Sequence, residues 1–239
     1  MLNTLLETLS ALVFPAECEI CGVAVDPHPP LGVCQKCQWE VKLILPPHCV
    51  SCGRTLMGNM PKCAECQTES FAFDRAFACA VYEGTMRQLI HAYKFQNRKY
   101  LKHYFIRMML AFIHSHLAAS DFDIILPVPM DRGRRSERGF NQSELISSAI
   151  AKYFKISHSV ENLVRLQGGQ IQSQLEKKQR KLNVKNAFLV RKADTFHSRR
   201  LLLIDDILTT GYTASECARC LKKSGAARVT VLALARGVN

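Results

Sequence analysis

The sequence has no long unbroken apolar run beyond its first fifteen residues. The longest later segment, near residues 108–113, lies between Arg107 and His114, whereas a membrane-spanning helix needs about 20 apolar residues. A basic leader and a small-residue cleavage site are also missing, so no secretory signal is expected. Residues 1–15 instead place leucines at helical spacing, which predicts an amphipathic helix. These absences predict a cytoplasmic protein without a membrane span.

Acidic residues are few, and their distribution is uneven. The 239 residues include 32 Lys/Arg against 20 Asp/Glu. Residues 1–70 hold 4 Lys/Arg against 7 Asp/Glu, and residues 71–239 hold 28 against 13, so the second segment carries the whole positive surplus. With 48% apolar residues, the chain has enough material for one full domain and a small module. A disordered or fibrous protein is excluded.

Eight of the eleven cysteines lie within residues 18–66 as four CxxC pairs. Their similar separations indicate a duplicated unit. Gly22 and Gly53 each follow the second cysteine of a pair, where a backbone that turns around a metal needs a positive φ. The pairs are Cys18/Cys21, Cys34/Cys37, Cys49/Cys52 and Cys63/Cys66.

Disulfides, a redox dithiol and a metal site are the three interpretations of these pairs. Disulfides are not expected without a secretory signal, and a redox CxxC usually occurs once, beside a βαβ unit. Four pairs supply two sets of four thiolates, the number that a tetrahedral structural zinc binds. We therefore predict about two structural Zn²⁺ ions held by these eight cysteines, and the spacing leaves open which pairs share an ion. Cys79, Cys217 and Cys220 are predicted to be small buried residues.

Strands and helices alternate from residue 71 onward. Strands separated by helices predict an α/β fold, a parallel twisted sheet with helices on both faces. The chain is predicted to divide into an amphipathic helix (1–15), a double-zinc-ribbon-like module (16–70) and the α/β domain (71–239). Strands are predicted at 76–82, 124–128, 187–190, 201–204 and 229–235, and helices at 85–93, 100–118, 141–154 and 212–224.

Residues 201–215, LLLIDDILTTGYTAS, combine an apolar strand, two acids and a hydroxyl-rich loop before a helix. Asp205 and Asp206 are predicted at the carboxyl edge of the sheet, where open α/β folds bind ligands. The loop and the helix N-terminus offer amides that favour a phosphate. The alternative is an acidic strand end followed by a helix that Thr213 caps. We call residues 201–215 the cradle.

The segment IDDILTTGYT resembles the phosphoribosyl pyrophosphate motif of type I phosphoribosyltransferases. Residues 93–101, residues 134–146 and the cysteine pairs narrow the resemblance to ComF-like proteins, over essentially the whole chain. The resemblance implies that Asp205 and Asp206 bind the ribose hydroxyls and serve catalysis. It implies that the 5′-phosphate is bound by Thr209, Thr210, Gly211, Tyr212 and Thr213.

The same resemblance implies Mg²⁺ as the companion of phosphoribosyl pyrophosphate. It also implies a role in handling imported single-stranded DNA during natural transformation. A helicase or another DNA-uptake protein is the candidate partner if the zinc module serves as a docking scaffold. The acceptor of the ribosyl group is unknown. Because little chain follows the last strand, the zinc module is predicted to lie over the site.

Two basic segments are the candidates for binding the diphosphate. The segment KFQNRK carries Lys94, Arg98 and Lys99, which either pair with the diphosphate or form a solvated face. Residues 131–139, DRGRRSERG, are predicted to form a mobile loop. Their alternative is a basic turn, with Asn141 capping the next helix. The candidates in this loop are Arg134, Arg135 and Arg138.

An enzyme is not the only function that fits this pattern. A DNA-binding protein that keeps the cradle as a nucleotide sensor, or a scaffold that docks a partner, competes with it. A zinc ion with four thiolates carries a net charge of about −2, so zinc makes residues 1–70 still more acidic. Single-stranded DNA is therefore predicted to bind residues 71–239, where basic residues from Arg87 to Arg107 interleave with Tyr93, Phe95, Tyr100 and Tyr104.

Overall fold

A five-stranded parallel sheet forms the centre of the structure, a computed structural model that describes residues 16–26, 31–56, 58, 60–166 and 184–237. The strand order is β1-β7-β6-β2-β3. The predicted amphipathic helix at 1–15 lies outside the described residues. The strands are β1 (Arg75–Val81), β2 (Ile124–Pro127), β3 (Ser157–His158), β6 (Arg200–Leu208) and β7 (Arg228–Arg236).

Helices cover both faces of this sheet, as predicted. On one face, Phe105, Met109 and Ile146 pack against Leu202 and Leu234. On the other face, apolar residues of the last helix, including Cys217 and Leu221, pack against the opposite side chains of β6 and β7. The long helices are α3 (Gly84–Phe95), α4 (Lys102–His116), α6 (Gln142–Phe154) and α7 (Tyr212–Lys223).

The prediction for residues 187–190 is right about the strand and wrong about its sheet. Strand β5 (Phe188–Val190) pairs antiparallel with β4 (Leu163–Arg165) in a separate two-stranded sheet. Leu163, Val164 and Arg165 lie opposite Val190, Leu189 and Phe188 in this sheet. An antiparallel pair of strands, in which β5 packs beside α7, therefore takes the place of the parallel strand predicted at 187–190.

Residues 132–138 form a short helix, α5 (Arg132–Arg138), where the sequence predicted a mobile loop. Local signals explain the helix. The Asp131 carboxylate accepts a hydrogen bond from the Gly133 amide at 2.9 Å and caps the first turn. Gly139, with φ of +72°, ends the helix in the left-handed conformation that glycine adopts without strain. Asn141 then caps α6 by accepting from the Ser143 amide at 3.1 Å.

The cysteine-rich residues form two small units with the same hydrogen bonds. The Gly22 amide donates to the Cys18 carbonyl at 2.9 Å, and the Gly53 amide donates to the Cys49 carbonyl at the same distance. Gly22 and Gly53 have φ of +71° and +69°, which confirms the prediction of positive φ at both positions. Each unit ends in a five-residue helix, α1 (Gln35–Trp39) or α2 (Ala64–Thr68). The structure therefore supports duplication.

The chain between the two units covers the edge strand β1. The Ile44 amide donates to the Cys79 carbonyl at 3.0 Å, and the Val81 amide donates to the Lys42 carbonyl at 2.8 Å. This pairing is antiparallel and brings Leu43 opposite Ala80. No helix in the described part of the chain is long and apolar enough to span a bilayer.

Candidate functional site

Each unit gathers four cysteine sulfurs into one cluster. The first cluster is Cys18, Cys21, Cys34 and Cys37, and the second is Cys49, Cys52, Cys63 and Cys66. The sulfurs of each lie within 4.8 Å of one another, and neighbouring pairs along the chain share a cluster. The Cys21 and Cys34 sulfurs are 3.6 Å apart, and those of Cys52 and Cys63 are 3.7 Å apart. Zinc–sulfur bonds of about 2.3 Å in a tetrahedron require about 3.8 Å, so both clusters fit zinc.

The backbone around each cluster favours thiolates. Burial raises the pKa of the Cys18 thiol, but the amides of Cys34 and Cys21 outweigh burial and lower that pKa to about 6. At Cys49, amides including those of Cys63 and Cys52 likewise outweigh burial, and the pKa falls to about 7. No cysteine in the described residues forms a disulfide. These clusters therefore support about two structural zinc ions per chain.

Asp205 and Asp206 lie near the carboxyl end of β6, the central strand. Lys94, from α3, contacts Asp206 with 2.7 Å between Nζ and Oδ1. The Asp205 Oδ1 atom accepts a hydrogen bond from the Asp206 amide at 2.8 Å. Burial and the charge of Asp206 raise the pKa of Asp205 to about 7, against the opposing charge of Lys94. Lys94 therefore pairs directly with Asp206, while burial disfavours the charged form of Asp205.

The loop after these acids leads directly into the N-terminus of α7. Gly211, with φ of +80°, precedes the first helical residue, Tyr212. The first amides of a helix have no partner within the helix, and its dipole favours an anion there. Thr209 packs against Gly237, and Thr210 is buried. The cradle thus has the amides and hydroxyls that a phosphate requires.

A cavity of about 490 Å³ and a second of about 790 Å³ flank helix α5. The larger one, which we call the basic cavity, adjoins the acids because Lys94 lines it. The Arg138 guanidinium lies 4.6 Å from the centre of the Phe95 ring in this cavity. Its charge interacts with Asp206. The predicted diphosphate residues that the structure brings together here are Lys94, Lys99, Arg134 and Arg138.

Two predicted residues lie elsewhere. Arg98 forms an ion pair with Glu19 of the first unit, at 3.3 Å. Arg135 forms an ion pair with Glu144 at 3.1 Å and lines the smaller cavity. Helix α5 therefore directs Arg134 and Arg138 to one side and Arg135 to another, a division that a basic loop could not reveal from sequence.

Most of the aromatic residues between positions 93 and 104 are too buried for the stacking on bases of single-stranded DNA that the sequence predicted. Tyr93 and Tyr104 are buried in the core, so the expectation that bases stack on them is wrong. Both belong to the apolar side of an amphipathic helix, which buries them. Tyr100 is half-buried and hydrogen-bonded to Glu19. Phe95 is 61% exposed and lines the basic cavity.

The end of the second zinc-binding unit and the residues just after it contact the cradle. The sequence predicted that the zinc module lies over the site, but it did not identify the residues that make the contacts. The Tyr212 hydroxyl donates to the Glu69 carboxylate, with 2.7 Å to Oε2. The Phe71 ring lies against Gly211, and the Ser215 hydroxyl accepts from the Ala72 amide at 3.0 Å. Glu69 follows the last cysteine by three residues, and nothing in that spacing marks it as a partner of the cradle.

Two Cys₄ clusters joined to a parallel α/β sheet define the class: an α/β protein with a double zinc ribbon. Residues 9–67 match the family described as "Double zinc ribbon domain". Competence protein F of Haemophilus influenzae is 30% identical, covering 86% of this chain and 90% of that protein. DNA utilization protein YhgH of Escherichia coli is 30% identical, over 79% and 83%. The chain belongs to the competence protein F family, also called ComF.

More distant relatives and solved structures add little to this assignment. Competence protein ComFC of Bacillus subtilis is 26% identical, covering 85% of this chain and 84% of that protein. The purine phosphoribosyltransferase of Pyrococcus horikoshii is 15% identical, with a TM-score of 0.35 over 56% of this chain and 73% of that one. A likeness at that level supports no conclusion, so the fold is assigned from the sheet order and the covered faces.

Proposed function

We propose that the chain binds phosphoribosyl pyrophosphate with Mg²⁺ at the carboxyl end of β6. The observation that carries the proposal is that Asp206 contacts Lys94, which lines the basic cavity, while the loop after Asp205 and Asp206 leads into the N-terminus of α7. A ribose held by the two carboxylates would direct its 5′-phosphate to residues 209–213. Its diphosphate would meet Lys94, Lys99, Arg134 and Arg138. The proposed diphosphate site does not include Arg98, which pairs with Glu19, or Arg135, which pairs with Glu144 beside the smaller cavity.

The reaction that fits this arrangement is transfer of the ribosyl group. The bond between C1 and the diphosphate oxygen breaks, the diphosphate leaves with the electron pair, and a nucleophile forms the new bond at C1. The proton of the nucleophile passes to solvent or to the diphosphate. Mg²⁺ would neutralise part of the diphosphate charge, while Lys94 and Arg138 stabilise the rest. The residues of the chain would position the substrate and balance the charge of the diphosphate, without forming a covalent bond to either.

A role in the use of DNA is the second part of the proposal. The similar proteins carry names that refer to competence and to DNA utilization. Phe95 is the exposed aromatic residue beside a cluster of cations, and a base can stack on such a ring. Single-stranded DNA would therefore enter at the basic cavity, where it would compete with the diphosphate. A chain that binds both ligands without turnover would be a sensor rather than an enzyme.

Calorimetry with phosphoribosyl pyrophosphate and Mg²⁺ tests the binding site. We expect Asp205→Asn combined with Asp206→Asn to weaken binding by at least about 100-fold, because each lost charged hydrogen bond costs about 1.5–3 kcal/mol. Asp121→Asn combined with Asp194→Asn is the control, since both carboxylates are exposed and precede β2 and β6, at the ends of those strands opposite to the proposed site. Equal affinity of parent and Asp205/Asp206 variant would contradict the site.

Release of diphosphate separates an enzyme from a sensor. Phosphoribosyl pyrophosphate is mixed with the protein, Mg²⁺ and a panel of nucleobases, amines or single-stranded DNA. Diphosphate released only with one class of acceptor would identify the nucleophile. Binding without release for every acceptor would support the sensor.

A further inference from the structure

Arg236 is the last residue of β7 and carries a buried charge. The strand RVTVLALAR is otherwise apolar after its first residue, apart from one threonine, and Arg236 is only 2% exposed. Its Nε, Nη1 and Nη2 atoms have no hydrogen-bond partner among the described residues. An unpaired guanidinium in a protein interior costs several kcal/mol. A counter-charge is therefore expected close to Arg236 in the folded protein.

The second cysteine cluster is the source of negative charge beside this side chain. Cys52 and Cys63 are among the charged groups that act on Arg236, together with Arg54 and Glu65. Arg54 and Glu65 already bind each other, with 2.7 Å between Nη2 and Oε2. Once Cys49, Cys52, Cys63 and Cys66 bind zinc as thiolates, their cluster has a net charge of about −2. This charge remains to be balanced after the Arg54–Glu65 pair is counted.

We propose that Arg236 is the buried cation that balances the second zinc–tetrathiolate cluster. The first cluster needs no such residue, because Cys21 is exposed and solvent reaches its sulfur. In the second cluster all four cysteines are buried, so water cannot stabilise the negative charge of the cluster and a cation of the protein does so instead. Zinc and Arg236 thus stabilise each other: each one removes the cost of burying the other.

The position of Arg236 also joins the zinc site to the cradle. Its carbonyl accepts from the Tyr82 amide at 2.7 Å, and it lies opposite Leu208, the last residue of β6. The next residue, Gly237, donates its amide to the Leu208 carbonyl at 3.0 Å and packs against Thr209. The residue that faces the second cluster is therefore two positions along the backbone contacts from Thr209, the first threonine of the loop after β6.

The rate of zinc release to a chelator tests this pairing in the full zinc-loaded chain. We expect Arg236→Met to release one zinc about tenfold faster while the other keeps the parent rate, since outer-shell partners change metal affinity about 10–100-fold. Arg236→Lys keeps the charge, and its release should stay within about threefold of the parent. Cys21→Ser identifies the kinetic phase of the first cluster. Arg200→Met, which breaks an ion pair with Asp123, is the control.

A thermal cycle separates charge balance from a general loss of packing. Chelation should lower the melting temperature of the parent by more than that of Arg236→Met, because only the parent is left with an unpaired buried cation. Equal losses in both chains, or parent release rates for both zinc ions in Arg236→Met, would overturn the proposal. If Arg236→Met does not fold, the zinc release rate of Arg236→Lys decides. Zinc release about tenfold faster than in the parent would overturn the proposal that Arg236 acts through its charge.

Discussion

At the scale of single residues, Asp205 controls how the cradle responds to pH. Its folded pKa is about 7, above the usual 3.8 of an aspartate, because burial and Asp206 oppose its ionisation. In the proposed complex the ionised form would accept hydrogen bonds from ribose hydroxyls, so a ligand that needs this form should bind more tightly as pH rises through 7. From pH 6 to pH 8 the ionised fraction grows from about a tenth to about nine tenths. We expect affinity for phosphoribosyl pyrophosphate to rise about tenfold over that range.

Titration calorimetry at several pH values measures this dependence. The ligand's own phosphates also titrate near pH 6, and Asp205→Asn shows that background because it cannot ionise at this position. The slope between pH 6 and pH 8 should be smaller in the variant. The same slope in both proteins would exclude Asp205 as the titrating group.

The stability of the fold depends on pH in the opposite direction to ligand affinity. A carboxyl group with a raised folded pKa destabilises the fold as pH rises from its unfolded pKa to its folded pKa. Ligand-free protein should therefore lose stability between about pH 4 and pH 7 through this residue, whereas its ligand affinity grows.

At the scale of elements, helix α5 separates two groups of arginines. Arg138 faces the basic cavity, and Arg135 is bound to Glu144 beside the smaller cavity. We expect Arg138→Gln to weaken phosphoribosyl pyrophosphate binding about tenfold, because a charged hydrogen bond to phosphate is lost. Arg135→Gln should change it less than about twofold. Calorimetry on both variants checks this, and equal effects would show that the helix does not direct the two side chains apart.

The two zinc-binding units provide a second test at this scale. Elemental analysis should find about two zinc ions per chain, and thiol counting in denaturant with chelator should find all eleven cysteines free. Cys52→Ser should lower the zinc content by about one ion. Cys220→Ser, which changes a half-buried cysteine on α7, should leave it at two. One ion in the parent chain, or missing thiols, would contradict two tetrathiolate sites.

At the scale of the whole molecule, the charges divide the protein into an acidic and a basic part. With zinc bound, residues 1–70 become more negative, while residues 71–239 keep the surplus of Lys/Arg. We expect affinity for single-stranded DNA to fall steeply with salt, since phosphate contacts release counterions. Lys99→Glu combined with Arg134→Glu, which reverses two cations that line the basic cavity, should weaken binding and make this dependence shallower by about 0.7 per lost contact.

Lys62→Glu combined with Lys36→Glu is the matched control, because both lysines belong to the acidic part. This variant should bind DNA like the parent. A larger effect from these lysines than from Lys99 and Arg134 would place DNA on the zinc-binding units instead. Excess phosphoribosyl pyrophosphate should also weaken DNA binding if the basic cavity serves both.

The features that sequence predicts well depend on local patterns. Zinc-binding cysteines, the acids after β6 and the capped helices follow from spacing and caps within a few residues. The division of Arg134 and Arg138 from Arg135 depends on a helix of two turns. The antiparallel pairing of β4 with β5 depends on contacts between residues far apart in sequence. A signal for Arg236 is present in the sequence, because a charged residue follows directly on the apolar strand predicted at 229–235. The prediction gave this residue no role.

The pairing of Leu43 with β1 has a consequence for how the protein is made. The bonds around Leu43 leave its own amide and carbonyl pointing away from β1, so this short segment becomes the outer margin of the sheet. During synthesis the amino-terminal part of a chain is available to fold first. The zinc-binding units therefore leave the ribosome before β1 and offer a partner to that strand as it emerges. A cell short of zinc would produce chains whose β1 edge stays open, and open edges pair with other chains.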